Sequence, residues 1–384
     1  MKGFFENGYQ VLREGKHIIV KSDEKNEIKF ELMQECVKLD KLNLPLSNNC
    51  TMQCLYCSEA EYIREHKEVL NEKIAFQVID AYFEWIKRYS NLETVRLSFD
   101  YGGEPVCQLG LLEKISNYFR NKCKEQNRMS SVLMTTNCVW DNGLISRVLD
   151  SVDEIVISLD GPKDIHEKYR KYKGKMSGFD LMFDNALEIY KSGKLKHFSS
   201  VITYNTINNL EKYIDFFMKY FPESSIKIAA VIVTGDASTN GIERISLHDW
   251  ANFVENIKKI SSGKITIIDS KPEKKIDYWY QYGCEHMRMI NWFYWLNGHI
   301  SCCTDRDNTK YYFANLKNGV LYLNTDKMEE FVYNNDVNLI IKCKDCLVKY
   351  YCAGGCPDFR DGKINCERRI EKYARMFIEK AKKK

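Results

Sequence analysis

The sequence predicts an α/β protein built on a parallel sheet, with a smaller cysteine-rich unit at its C-terminal end. Two observations carry this. Six β-rich runs alternate with helix-period segments between about residues 42 and 233, the pattern of strands joined by right-handed crossovers. After about residue 270 that alternation stops, and aromatics crowd Tyr278 to Tyr294 ahead of a dense set of cysteines. Periodicity alone leaves open whether the sheet is flat or curled into a barrel.

The elements follow in order. Residues 9–34 hold two alternating stretches around Asp23-Glu24-Lys25-Asn26, which predict a β-hairpin. Leu42–Ser47 is a short apolar strand leading into the first cysteine loop. From Glu72 to Tyr89 a helix places Ile74, Val78, Ala81, Tyr82, Trp85 and Tyr89 on one face. Thr94–Phe99 is a strand ending in Tyr101-Gly102-Gly103-Glu104-Pro105, and a helix follows from about Leu109 to Gln126. Strands are predicted at Ser131–Thr135, Glu154–Leu159, His197–Thr203 and Ile226–Val233, with Leu210, Ile214, Phe217 and Phe221 marking an amphipathic helix between the last two. A final helix runs through Ile370, Tyr373, Phe377 and Ile378. The boundaries are thus 1–41 for a hairpin prelude, 42–269 for the α/β core and 270–384 for a metal-stapled unit.

Composition removes several classes. With 57 Lys and Arg against 53 Asp and Glu, the 384-residue chain is near charge balance, and its charges are interspersed. No nucleic-acid partner is expected; the basic tail Lys382–Lys384 reads as a solvated helix end. No apolar run approaches the roughly 20 residues of a membrane helix, and the first ten residues lack the apolar core of a signal peptide. Fifteen cysteines in so long a chain, an odd count, suit a reducing compartment, the cytoplasm, and metal binding more than a disulfide framework.

Two cysteine groups stand out. Cys50-Thr51-Met52-Gln53-Cys54-Leu55-Tyr56-Cys57 has C-x3-C-x2-C spacing. Three thiolates in eight residues wrap one metal centre and leave a position empty. Structural zinc wants four closed ligands, whereas an iron–sulfur cluster with one unligated iron suits three thiolates. The second group is Cys343-x2-Cys346-x5-Cys352-x3-Cys356, with Cys366 nine residues on; upstream stand Cys284, Gly298 and Cys303. A zinc ribbon, the alternative, would separate its two pairs by more than the five residues between Cys346 and Cys352.

The first motif resembles the signature of the radical S-adenosylmethionine (SAM) enzymes. That resemblance implies a partial (β/α)6 barrel of the TIM type, with Cys50, Cys54 and Cys57 holding a [4Fe–4S] cluster whose fourth iron SAM chelates. It implies reductive cleavage of SAM to a 5′-deoxyadenosyl radical that abstracts a substrate hydrogen. Tyr56 matches the aromatic near the adenine. Gly102-Gly103-Glu104-Pro105 resembles the family's GGEP segment, whose carboxylate accepts from the methionine ammonium. Thr136-Asn137 ends the next strand, where the family usually continues with Gly and this chain has Cys138. Ile157-Ser158-Leu159-Asp160-Gly161-Pro162 resembles the segment whose Ser reaches the ribose, and Arg170 downstream is a partner for the SAM carboxylate or a plain surface cation. His166 is expected to be a structural hydrogen-bonding residue.

The seven-cysteine pattern resembles the SPASM domain, the C-terminal iron–sulfur extension of a subset of these enzymes. By resemblance, Cys284, Cys303 and Cys356 hold a first auxiliary [4Fe–4S] cluster, and Cys343, Cys346, Cys352 and Cys366 a second, for three clusters in all. Cys36, Cys107, Cys123, Cys138 and Cys302 remain, read mostly as small core residues. Cys302 adjoins Cys303, but consecutive side chains of an extended segment face opposite ways, so the first auxiliary cluster is expected to keep one iron open.

The favoured function is maturation of a ribosomally made peptide by a thioether or similar crosslink, with a reductant such as flavodoxin or ferredoxin. The 49 residues before Cys50 are fewer than a typical leader-binding domain of the peptide maturases, so a separate leader-recognition protein or the enzyme's own surface is expected to bind the substrate. An anaerobic sulfatase-maturating enzyme, which oxidises Cys or Ser to formylglycine, is the alternative. Those enzymes carry Asp directly after the cysteine of the G-x4-C segment, whereas here Thr304 stands there and Asp305 one later. A non-catalytic iron–sulfur electron carrier is the third reading, and it has no need of the GGEP-like loop.

Overall fold

The computed structural model describes residues 3–6, 8–14, 16–22, 26–30, 33–34, 40–65, 67–174, 177–233, 236–261, 263–269, 278–279, 291–304, 308–355, 357 and 363–382. Its centre is an eleven-stranded mixed sheet. From one edge the strands run Thr266–Asp269, Ser225–Ala230, Leu195–Ile202, Glu154–Ser158, Met129–Thr136, Thr94–Phe99, Asp40–Asn43, Asn291–Tyr294, His299–Ser301, Tyr312–Lys317 and Val320–Leu323. Every pairing from Thr266–Asp269 as far as Asn291–Tyr294 is parallel; the last three are antiparallel. Among the described residues no pairing joins the two edges into a closed barrel.

The strand–helix alternation read from the sequence is present, with two additions. Thr266–Asp269 extends the parallel run beyond the six expected strands; at four residues it is too short to stand out by pattern. Asn291–Tyr294 lies within the aromatic stretch assigned to the C-terminal unit, yet it pairs with Asp40–Asn43 of the core, in the register Trp292 with Leu42. The first core strand stops at Asn43. Leu44 and Leu46 beyond it are buried but belong to the loop, where Leu44 N–H donates to the Ser98 carbonyl at 2.9 Å.

Each strand sorts its side chains by alternation. In Thr94–Phe99, Val95, Leu97 and Phe99 are sealed in the main core, which includes residues of helices Glu72–Tyr89 and Leu109–Glu125. The other face carries Arg96, paired with Glu154. The first of these helices begins where the Asn71 side chain accepts from the N–H groups of Lys73 and Ile74. Its buried stripe is Ala75, Val78, Ile79, Tyr82, Phe83, Trp85 and Ile86, so that Val78, Tyr82 and Trp85 fall where expected. The rest is rotated from the expected face, because Phe83 and Ile86 outweigh Ile74 and Ala81.

The N-terminal residues form more than a hairpin: Phe4–Glu6, Tyr9–Glu14, His17–Ser22 and Glu27–Phe30 make a four-stranded antiparallel sheet. Its apolar face does not join the main core. Val11, Ile18, Val20 and Phe30 share a second core with Leu347, Val348, Tyr351, Ala374, Phe377 and Ile378. The C-terminal helix Lys363–Lys382 thus lies on the N-terminal sheet. Arg13 completes the junction by donating from Nε to the Cys346 carbonyl at 2.7 Å and from Nη2 to the Lys344 carbonyl at 3.0 Å. None of the described helices is long and apolar enough to cross a membrane.

A hydrogen bond to a charged group contributes about 1.5–3 kcal/mol, and of the two Arg13 bonds only that to the Cys346 carbonyl is part-buried. Arg13→Ala is expected to lower unfolding stability by about 2 kcal/mol, read from the denaturant midpoint. An unchanged midpoint would mean that the N-terminal sheet does not clamp this loop.

Candidate active site

Because the core strands are parallel, their C-terminal ends lie on one side, and the loops leaving four of them carry the singled-out residues. Asp40–Asn43 leads to the loop of Cys50, Cys54 and Cys57; Thr94–Phe99 leads to Gly102-Gly103-Glu104-Pro105. Met129–Thr136 leads to Asn137, and Glu154–Ser158 ends on Ser158. Ligand loops at the carboxyl ends of parallel strands are the general rule for such sheets.

Two of these loops are locked together by backbone contact. Gly103 N–H donates to the Ser47 carbonyl at 2.8 Å, and Glu104 N–H to the Asn49 carbonyl at 2.7 Å. A Cβ on Gly103 would fall 1.9 Å from the Asn49 oxygen, so only glycine fits there. Glu104 is buried: its carboxylate accepts from Asn137 N–H at 2.8 Å, the Thr136 hydroxyl at 2.7 Å and Val106 N–H at 3.3 Å. Burial pushes this carboxyl up to about 7, against the pull of those hydrogen bonds. Pro105 opens the short turn that Glu104 caps.

The Asn137 side chain reaches the cysteine loop, with Nδ2 3.6 Å from Cys50 Sγ and Oδ1 accepting from the Thr51 hydroxyl at 3.3 Å. The next residue, Cys138, has φ 60°, the left-handed conformation that the glycine usual at this family position adopts without strain. The turn is therefore kept despite the different residue. The Asn185 amide supports it by donating to the carbonyls of Cys138 and Trp140.

The cysteine loop is braced from its other side by residues 169–173. Met52–Cys54 pairs antiparallel with Arg170–Tyr172. Leu55 N–H donates to the Tyr169 carbonyl at 2.8 Å, and Lys173 Nζ to the Cys50 carbonyl at 3.0 Å. Behind this ribbon sits Asp160, a residue that sequence reading quoted without a role. It accepts from the Tyr56 hydroxyl, from Arg170 Nε at 2.9 Å and Nη2 at 3.3 Å, and from Val201 N–H at 2.9 Å. The guanidinium also lies 5.4 Å from the centre of the Tyr56 ring. Arg170 is thus a buried cation, and the carboxylate its fork meets here is that of Asp160. His166 is buried with its pKa lowered to about 3 by desolvation, and its Nδ1 accepts from Asp160 N–H at 3.3 Å.

The three thiols are partly buried and influence one another electrostatically; burial raises the pKa of all three, Cys54 to about 12. Among the described residues no group of three or more His, Cys, Asp or Glu side chains is drawn together as for a single metal ion. The donor set suits an iron–sulfur cubane instead, which takes thiolates at separate corners and tolerates one open iron. Beside the cysteine loop sits the buried Glu104 carboxylate, joined to Cys50 through Asn137.

In the C-terminal region, Cys346 lies within electrostatic reach of Cys352 and Cys366, and Cys346 N–H donates to the Cys343 carbonyl at 3.2 Å. Cys303 is half-buried, while its neighbour Cys302 is sealed in the main core. Cys284, Cys356, Cys36 and Asp305 lie outside the described residues.

Residues 44–217 match the model of the radical SAM superfamily. Over 378 residues the chain is 24% identical to a cysteine-type anaerobic sulfatase-maturating enzyme of Clostridium perfringens, covering 89% of this chain and 95% of that protein. It is 22% identical over 355 residues to a serine-type anaerobic sulfatase-maturating enzyme of Bacteroides thetaiotaomicron, covering 82% of each. Its fold is similar to that of native anSMEcpe with bound AdoMet (TM-score 0.61, 17% identity, 89% of this chain and 99% of that one). It is also similar to Streptococcus suis SuiB bound to S-adenosylmethionine (TM-score 0.54, 17% identity, 88% and 76%). The sheet described above is therefore the radical SAM α/β fold.

Removing one partner of a buried ion pair leaves an uncompensated charge and costs about 3–5 kcal/mol. Asp160→Asn is expected to lose that much in equilibrium unfolding, since Arg170 would stay buried without its counter-ion; a loss below about 1 kcal/mol would refute this role. Separately, Cys138→Val places a β-branched residue at positive φ and is expected to cost about 2 kcal/mol, whereas Cys138→Gly should be tolerated. Equal midpoints for the two variants would show that the left-handed turn is not required.

Proposed function

We propose that this radical SAM enzyme modifies a peptide: a 5′-deoxyadenosyl radical would take a hydrogen atom from one residue, and the carbon radical would join a substrate thiolate. The thiol proton goes to solvent while the surplus electron passes to an iron–sulfur cluster, giving a thioether or similar crosslink in a ribosomally made substrate. The observation that carries the reading is the gathering of the Cys50–Cys57 loop, Glu104, Asn137 and Ser158 at one end of the sheet. Support for a peptide substrate comes from the relatives, which include sulfatase maturases and SuiB, the latter also solved bound to precursor peptide SuiA.

In this reading Cys50, Cys54 and Cys57 hold the cluster. When bound, the cluster and SAM supply the electron and the radical. The chain's residues orient them. Glu104 takes the methionine ammonium against the Gly102-Gly103-Glu104-Pro105 backbone, and Asn137 fixes Cys50. Ser158 reaches the ribose and Tyr56 flanks the adenine. Arg170, through Asp160, sets the angle of Tyr56 and of the cysteine loop. Residues 270–384 form a SPASM unit, with Cys284, Cys303 and Cys356 on one auxiliary [4Fe–4S] cluster and Cys343, Cys346, Cys352 and Cys366 on a second. Three clusters, a flavodoxin- or ferredoxin-type donor and a cytoplasmic setting complete the proposal.

Formylglycine formation is the second reading, favoured by the sulfatase-maturating relatives. Thr304 in the place of that family's base tells for the crosslink. The products separate the two: a crosslink keeps the substrate sulfur but removes its free thiol, whereas formylglycine is an aldehyde that reacts with a hydrazide.

Anaerobically reconstituted protein should hold about twelve irons, four for each cluster. With Cys50, Cys54 and Cys57 all replaced by Ala, about eight should remain, and SAM should no longer yield 5′-deoxyadenosine under dithionite. Continued cleavage in that variant would overturn the assignment of the radical site.

A further inference from the structure

Tyr101 occupies a backbone conformation that favours glycine. Its φ is 67°, and Gly102 follows at 71°, so two consecutive left-handed residues turn the chain between Thr94–Phe99 and Gly103. For a bulky residue this is a genuine outlier, and such outliers cluster where a ligand is held.

The ring is not spent on filling the core. It meets Phe293 edge-on at 5.8 Å and Trp295 edge-on at 5.7 Å, and those two rings stack on each other at 6.2 Å. Phe293 and Trp295 are sealed, but Tyr101 is 37% exposed. By contrast Tyr82 and Tyr213, which serve packing, are fully buried. The trio is therefore an aromatic cluster of which Tyr101 alone is partly exposed.

Its position adds the second argument. Trp295 Nε1 donates to the Ser301 hydroxyl at 2.9 Å, which donates in turn to the Cys303 carbonyl at 2.7 Å. The Tyr101 phenol lies within electrostatic reach of both Cys303 and Glu59, two residues past Cys57. The aromatic cluster thus joins the loop proposed to hold SAM to the loop of Cys303, and a substrate residue exposed to both sites would lie beside it.

We infer that Tyr101, Phe293 and Trp295 form a seat for an apolar, preferentially aromatic side chain of the peptide, next to the residue that is modified. The inference rests on the peptide reading above. A buried aromatic side chain contributes large contact area and ring–ring attraction, whereas Ala offers neither.

The test uses two labelled single-cysteine peptides, identical except for Phe or Ala on both sides of the Cys. Each is titrated anaerobically into reconstituted enzyme with SAM, and binding is read by fluorescence anisotropy. The Phe peptide is expected to bind about tenfold more tightly to the wild type. Tyr101→Phe should keep that ratio, and Tyr101→Ala should reduce it to about twofold or less. Should Tyr101→Ala fail to fold, Tyr101→Gly, at home in this backbone, replaces it. Equal binding of the two peptides by the wild type, or a tenfold ratio kept without the ring, overturns the seat and leaves the peptide reading standing. If neither peptide binds while SAM is still cleaved to 5′-deoxyadenosine, the peptide reading itself falls, and the seat with it.

Discussion

One buried carboxylate organises the site. Asp160 leaves the end of the strand Glu154–Ser158 and accepts from Tyr56, Arg170 and the Val201 backbone together. Burying the Arg170 guanidinium opposes its charge, yet Asp160, with Tyr56 and Cys54, together offset this and the pKa is raised. A buried ion pair contributes little net stability compared with apolar packing. What it contributes here is position. Tyr56 belongs to the cysteine loop, Arg170 to the ribbon that pairs with that loop, and Val201 to the neighbouring strand, so three segments far apart in sequence are referred to one pair of oxygens. His166, held neutral by burial, accepts the Asp160 N–H and fixes the carboxylate's own backbone.

The same economy of contact explains why the glycines matter more here than the surrounding helices do. The loops after Asp40–Asn43 and Thr94–Phe99 are joined by backbone hydrogen bonds, with Gly103 against Asn49. Side chains are thereby left over: Glu104 points inward, and Asn137 bridges to Cys50. The arrangement is preorganised before any cofactor arrives, since Glu104 is held by the Thr136 hydroxyl and the N–H groups of Asn137 and Val106.

Much of this was legible in the sequence because it is local. The C-x3-C-x2-C spacing, the Gly102–Pro105 turn and the strand before each are short patterns, and parallel topology brings their ends together without further information. Long-range partners were not legible. Alternation in residues 9–22 says that Val11, Ile18 and Val20 share a face, but not that Phe377 and Ile378 of the last helix cover it. Nor does anything near Arg13 announce that its guanidinium meets the carbonyls of Lys344 and Cys346. Asp160 was visible as a letter in a motif, yet its role depends on three partners whose contacts exist only in the folded chain.

Burial sorts the described cysteines in a way that spacing alone does not. Cys123, Cys138 and Cys302 are sealed, while Cys50, Cys54, Cys57, Cys303, Cys343, Cys346 and Cys352 are half-buried; Cys366 is exposed, and so is Cys107, which is therefore not the core residue expected of it. A sealed thiol behaves as a small apolar side chain: burial pushes Cys123 up to about 12 and Cys138 well above its ordinary value. A thiol at the rim of a core can turn its sulfur toward a metal without opening the core. The neighbours Cys302 and Cys303 show the division within one step of chain. They form a bend that follows the strand His299–Ser301. Cys302 packs within the main core, while Cys303 lies half-buried at the edge of that same core. Recruiting Cys302 as a metal ligand would require withdrawing a fully buried side chain from that core, a cost the half-buried Cys303 does not incur.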